Sequence, residues 1–225
     1  MPPAAALRLA GLPASSTRRR RSDEIILAAA EVFASKGFHG ASTQDVADRL
    51  GMRQASLYYY FSSKEAALEQ VCLRSVGDFV ERALEIANGP GTAAAKLTAL
   101  VRRHLEPTEQ RPAFVRCFIR ERRFLPKESR RRVGRVARRY EHIVQGMIEA
   151  GIAAGELRGD LHPRLAVLAL LGMCNASVDW YGKEPGIPID RIAENFARVV
   201  LDGMAAQQAA EIQRQSSITK TSSRS

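Results

Sequence analysis

Cysteine is scarce in this chain of 225 residues. The three present, Cys72, Cys117 and Cys174, are odd in number and far apart, which leaves no support for a disulfide framework or a cysteine-type zinc site. Histidine is equally thin: His39, His104, His142 and His162 are scattered, without the Glu-x-x-His or His-x-x-x-His pair that holds a metal in a helical bundle. No glycine-rich phosphate loop precedes a helix, and no nucleophile stands at recognisable spacing from a base. A metal, a cofactor and catalysis are therefore not expected. The apolar run AVLALLGMC (166–174) falls short of the roughly 18 to 20 residues that cross a membrane. The N-terminal arginines follow the weakly apolar stretch instead of preceding it, the reverse of a signal peptide, so a cytoplasmic, nucleoid-associated protein with no membrane partner is expected. Alternating strand patterns are missing as well.

What the chain does have is positive charge. It carries 34 Lys and Arg against 24 Asp and Glu, for a net charge of +10 and a pI near 10.1. That balance favours a polyanionic partner such as nucleic acid, an anionic membrane surface or a phosphorylated ligand. It does not choose among them.

Helical periodicity fills most of the remainder. Residues 1–17 are rich in Pro, Ala and Ser and read as a disordered arm that runs into Arg18, Arg19, Arg20 and Arg21. Ser22 caps a first helix, with Ile25, Ala29, Val32 and Phe33 on its apolar face and Gly37 as its stop. Ser42 caps a second, Asp45 stands in the capping-box position, Val46, Ala47 and Leu50 face inward, and Gly51 ends it. The stretch MRQASLYYYF (52–61) follows after a short turn, and a fourth helix starts at Lys64 and runs to about Val80. Further helices are expected between Gly91 and Pro107, up to Pro126, over 127–157, near 163–182 and near 188–206, with a flexible tail at 207–225.

Two short helices across a tight Gly-containing turn, supported by a third, have the outline of a helix-turn-helix at about 42–61. The second must present an outer face to a DNA major groove about 12 Å wide while its inner face stays tied down. Met52, Leu57 and Phe61 are the tie. That leaves Gln54, Ala55, Ser56, Tyr58, Tyr59 and Tyr60 for the other faces. Small Ala55 and Ser56 allow close approach to bases, Gln54 reads donor and acceptor pairs, and tyrosine offers a flat apolar body with a hydroxyl for phosphate.

The stretch IILAAAEVFASKGFHGASTQDVADRLGMRQASLYYYFSSKEAAL (25–68) resembles, without gaps, the DNA-binding domain of the TetR-type bacterial transcriptional regulators. The resemblance implies an all-α protein with an N-terminal three-helix DNA-binding domain (18–78) and a C-terminal helical ligand-binding and dimerisation domain (79–206). It also implies a homodimer on a palindromic double-stranded operator, usually a repressor released by a small-molecule effector. By position, Thr43 and Gln44, beside the capping Ser42, open the helix that abuts phosphates. Gln54, Ala55, Ser56 and Tyr58 face bases or backbone, and Tyr59 and Lys64 anchor phosphates. Two residues depart from the family: Arg53 stands where Ser or Thr is common, so the recognition helix lacks its usual cap and Arg53 is left for a phosphate. Tyr60 stands where His is common.

The C-terminal region offers candidates of a different kind. Phe114, Phe118, Phe124, Met147, Met173, Trp180 and Tyr181 either line a ligand cavity or are plain core. His104, Glu121, Cys174 and Asn175 are the polar groups that would converge on such a cavity. A basic block from Arg116 to Arg139 reads mostly as a solvated face, with the phosphates of an acyl-CoA-like ligand as the sharper alternative. The last two helices carry more apolar surface than one face requires and are expected to form a dimeric four-helix bundle, with Gly172 allowing close approach. The rival readings are a constitutive or architectural DNA binder without effector and a helical protein that binds membrane or RNA surfaces by charge alone.

Overall fold

A computed structural model describes residues 12–183 and 186–205, with side chains from Arg19 onward. Most of the expected arm and all of the expected tail lie outside the described residues. The described residues form nine α-helices: α1 (Leu12–Gly40), α2 (Thr43–Arg49), α3 (Gln54–Leu57), α4 (Lys64–Asn88), α5 (Ala93–Gln110), α6 (Pro112–Arg116), α7 (Lys127–Ala153), α8 (Pro163–Trp180) and α9 (Ile189–Met204). Between α6 and α7 the chain makes a wide π turn at Cys117–Glu121 and a 3-10 turn at Arg122–Phe124. The fold is all-α, and the sole β pairing among the described residues is an isolated bridge between Leu157 and Ala205.

Several boundaries move from their expected places, each for a local reason. Helix α1 starts at Leu12, ten residues before Ser22, with Pro13 in the first turn, where its missing N–H costs nothing. Gly37, at φ 70°, breaks α1 as expected, because that backbone angle is open to glycine and strained for other residues. Helix α4 passes Val80 and reaches Asn88. Gly77 inside it costs only about 1 kcal/mol relative to alanine, and the next strong breakers are Gly89, Pro90 and Gly91. Pro107 lies inside α5 instead of ending it: its missing N–H removes one bond, and its own carbonyl still accepts from the Arg111 N–H at 2.8 Å as the helix ends.

The chain divides into two compact units, and the division is not a single cut. Residues 12–75 and 113–133 build the first; 76–112 and 134–205 build the second. The first is built around Ile25, Ala29, Phe33, Val46, Leu57, Phe61, Leu68 and Val71, joined by Phe114, Cys117, Leu125 and Val133 from the later segment. The second is built around Leu97, Leu100 and Leu105 of α5, Val144 and Ile148 of α7, Val167 and Leu170 of α8, and Ile192 and Ala197 of α9. The contiguous boundary at 78/79 therefore omits residues 113–133 from the N-terminal unit. No helix among the described residues is long and apolar enough to cross a membrane.

Candidate nucleic-acid interface

Helix α2 is set by a capping box. The Ser42 hydroxyl oxygen accepts from the Asp45 N–H at 3.1 Å, and Asp45 Oδ2 accepts from the Ser42 N–H at 2.8 Å. Lys36 bonds the other oxygen of Asp45 at 2.7 Å. Lys36 and then Ser42 hold this carboxyl at about 2, well below the usual range, so the box keeps its charge at any physiological pH. Gly51, at φ 60°, turns the chain toward α3, and the Met52 N–H bonds back to the Ala47 carbonyl at 3.0 Å.

The recognition helix α3 is shorter than expected, ending at Leu57 with the three tyrosines in the turn that follows, and packing holds it. Leu57 and Phe61 are buried, Met52 is half-buried against the same core, and Gln54 Nε2 donates to the Thr43 hydroxyl at 2.7 Å. Gln54 thus ties α3 to α2, a role expected only of the apolar side chains. Arg53 precedes α3 with no side-chain capping bond, in keeping with the absent Ser or Thr. Ala55 and Ser56 are exposed, and Tyr58 and Tyr59 are 52% and 69% exposed. Tyr60 is different: it is half-buried against the core of the unit, its ring meets Tyr59 edge-on at 5.3 Å, and its carbonyl accepts from Gln70.

Lys64, the candidate phosphate anchor, is already engaged. Its ammonium donates to the carbonyls of Phe38 and Ala41, both at 2.9 Å, and lies 4.5 Å over the Phe38 ring. These bonds satisfy carbonyls at the end of α1 and fix the turn into α2. Ser63 caps α4 instead, accepting from the Ala66 N–H at 3.1 Å. On the other side of the motif, Arg21 donates to Met52 Sδ at 3.9 Å, which sets the basic end of α1, with exposed Arg19 and Arg20, beside the turn before α3.

The effector candidates divide between the units. Phe114, Phe118 and Glu121 belong to the first unit: Phe114 and Phe118 pack in its core, and Glu121 Oε2 accepts from the Phe38 N–H at 2.8 Å. Phe124 goes with them, stacked on Phe38 at 5.9 Å. No local pattern announces the Glu121 bond, which joins residues 83 apart. In the second unit Met147 and Cys174 are buried, Trp180 packs at the margin of the core, and Met173 is half-buried on α8. His104 is the centre of a polar group: Nδ1 accepts from the Tyr140 hydroxyl at 2.8 Å, and Nε2 donates to Asn175 Oδ1 at 3.2 Å. Phe79 stacks on the imidazole at 4.9 Å. A half-open groove of ≈ 440 Å³ in the same unit is lined by Leu84, Ile143, Met147 and Ala150, with Lys96 and His142 as its basic members.

Burial pulls His104 from 6.5 down to about 4, against the opposing pull of Asn175. The folded protein keeps it neutral while the unfolded chain takes up a proton below about 6.5. Stability should thus fall as pH drops from about 6.5 to 4, by on the order of 3 kcal/mol at about 1.36 kcal/mol per unit. Chemical denaturation at steps through that window should give this slope in the wild type and a flatter one in His104→Gln. All three cysteines are free and buried, and burial pushes the Cys72 and Cys174 thiols up to about 12. Thiolates, the form that oxidants attack, are scarce at these positions. Among the described residues no group of three His, Cys, Asp or Glu side chains could hold a metal ion.

A recognition helix tied by buried residues, with tyrosines on its free surface and a second helical unit in the same chain, is the build of a DNA-binding transcriptional regulator. Comparison with known proteins agrees. Residues 25–71 match the family model described as bacterial regulatory proteins, tetR family, and residues 90–204 match a tetracyclin repressor-like C-terminal domain. The chain is similar to the HTH-type transcriptional repressor KstR2 of Mycolicibacterium smegmatis, at 30% identity over 84% of this chain and 92% of that protein. It is similar also to KstR2 of Rhodococcus jostii, at 27% over 85% and 95%. The solved structure of the transcriptional regulator FadR from Bacillus subtilis in complex with stearoyl-CoA aligns with a TM-score of 0.71 at 25% identity, covering 80% of this chain and 98% of that one. The protein belongs to the TetR family of bacterial regulators.

Proposed function

We propose that this regulator is a repressor that binds a palindromic operator as a homodimer and is released by a hydrophobic effector bearing an anionic group, of the acyl-CoA class. The observation that carries the DNA-reading part is the free surface of α3 and of the turn that follows it, where Ala55, Ser56, Tyr58 and Tyr59 are exposed while Leu57 and Phe61 are locked in the core. Homodimerisation through α8 and α9 is supported by apolar side chains that a single chain leaves uncovered: Leu165 at 61% exposure, Leu168 at 46% and Val199 at 66%. Gly172 lies on the same α8 stripe, and a Cβ there would meet open space.

The effector class is supported by the groove. Its ≈ 440 Å³ lies within the range of ligand sites, about 300–1,000 Å³, and its mostly apolar lining, with Lys96 and His142 beside one carboxylate, Glu156, suits an acyl chain carrying a negative group. Similarity to a regulator solved with stearoyl-CoA points the same way. Binding of effector would favour a spacing of the two α3 helices that no longer matches successive major grooves about 34 Å apart, and ligand and operator would weaken each other by the same factor.

The test uses full-length protein and a duplex selected by it from a random pool. Stearoyl-CoA should raise the melting temperature and weaken the selected duplex tenfold or more, whereas CoA alone and a neutral long-chain alcohol should do neither. Duplex affinity unmoved by stearoyl-CoA would overturn the effector class.

A further inference from the structure

We infer that Arg122, Arg123 and Arg130 form a second phosphate-contacting surface for duplex DNA, beside the helix-turn-helix and carried by a segment outside it. This rests on the DNA-binding reading of the first unit and extends its footprint.

Placement comes first. The segment 113–133 is part of the first unit, and it is pinned to the turn that leads from α1 into α2. Glu121 accepts from the Phe38 N–H at 2.8 Å. The Phe124 ring stacks on Phe38 at 5.9 Å and meets His39 edge-on at 4.5 Å. Two residues further on, the Ala41 carbonyl receives the Lys64 ammonium, and Ser42 then opens α2, the helix whose start abuts phosphates. The 3-10 turn at Arg122–Phe124 is therefore held against the end of α1, which leads directly into the DNA-reading motif.

Charge comes second. Five of the seven arginines of this segment fall into two groups. Arg131 is paired with Glu128 at 2.7 Å, and Arg132 grips Glu69 with two nitrogens, so their positive charge is locally answered. Arg122, Arg123 and Arg130 are exposed, and among the described residues none of them has a carboxylate within ion-pair reach. Their partners are neutral: Arg122 lies 4.6 Å over the Phe118 ring, Arg123 4.8 Å over the Phe124 ring, and Arg130 Nη1 donates to the Arg123 carbonyl at 3.3 Å. Ring faces and a carbonyl orient a guanidinium without cancelling its charge and leave other N–H donors for a bidentate acceptor. Three exposed arginines on one short segment, none answered by a carboxylate, make a positive patch that a polyanion would complement. The polyanion that the adjoining motif brings within reach is the DNA backbone, whose phosphates are contacted without regard to sequence.

The test compares wild type, the triple variant Arg122→Gln/Arg123→Gln/Arg130→Gln and the control Arg131→Gln. Each is bound to a duplex selected by the full-length protein and to an unrelated duplex, between 50 and 200 mM salt. The triple variant should bind both duplexes more weakly by a similar factor, on the order of tenfold or more. Its slope of log K against log salt should shrink by about 0.9 for every phosphate it no longer neutralises, with the preference between duplexes retained. Arg131→Gln should leave the slope as in wild type, and melting curves should show the triple variant folded.

Unchanged affinity and slope in the triple variant would overturn the proposal. So would an equal loss of slope per arginine in Arg131→Gln, which would mean net charge alone, or a lost response to stearoyl-CoA with DNA binding intact, which would give these arginines to the effector. If wild type showed no preference between the duplexes, the specific-recognition reading would fall while the slope comparison still decided this surface.

Discussion

Tyr58→Ala is expected to weaken the selected operator by on the order of 10²–10⁴ while leaving the melting temperature nearly unchanged. The ring is half exposed on a helix held by Leu57 and Phe61, so its removal opens no cavity. Removing one interaction with a base or the backbone costs about 1–3 kcal/mol, and a homodimer on a palindrome suffers that cost twice. Lys64→Ala is the instructive contrast. Its ammonium satisfies the carbonyls of Phe38 and Ala41, and a charged hydrogen bond of this kind is worth about 1.5–3 kcal/mol. That variant should lose thermal stability and DNA affinity together. Fluorescence anisotropy for affinity and calorimetry for melting separate the two patterns. Full affinity in Tyr58→Ala would remove the tyrosine from the interface.

Leu165→Glu/Leu168→Glu should turn a dimer into a monomer that keeps its helicity. Both side chains point away from the core of the second unit, so the carboxylates meet solvent in the isolated chain. In a helix-to-helix interface they would be buried without partners, and each lost leucine forfeits about 1.5–3 kcal/mol of apolar burial. A monomer reads one half-site, and the gain from linking two readers, about 10²–10⁴, disappears with the interface. Sedimentation velocity at micromolar concentration gives the mass, and circular dichroism gives the helicity. A variant that sediments as a dimer would place the interface elsewhere.

The parts legible in the sequence are those written locally. Ser42 and Asp45 are three residues apart and form their box within one turn, Gly51 sets its own backbone angle, and Leu57 and Phe61 share a face by helical spacing alone. Tyr60 is ambiguous in the sequence because helical spacing puts its ring at the margin between core and solvent; it stands in the turn after α3, and its ring is half-buried there. The surroundings of Phe114, Phe118 and Glu121 are not legible in the sequence for a different reason. Their helical spacing says that they face inward but not which core receives them, and Glu121 reaches a backbone N–H 83 residues earlier in the chain. The structural bonds of Lys64 are hidden likewise, since its acceptors are carbonyls, which no residue type announces.

The first unit is discontinuous: Phe114, Cys117, Leu125 and Val133 complete a core begun by Ile25 and Phe33. During synthesis, residues up to Ser75 emerge well before their later neighbours, and at about 5–20 residues per second the wait lasts several seconds. Throughout that interval the helix-turn-helix segment has been made while part of the apolar side chains that cover its core has not. A fully packed N-terminal unit therefore waits for the ribosome to pass well beyond the motif.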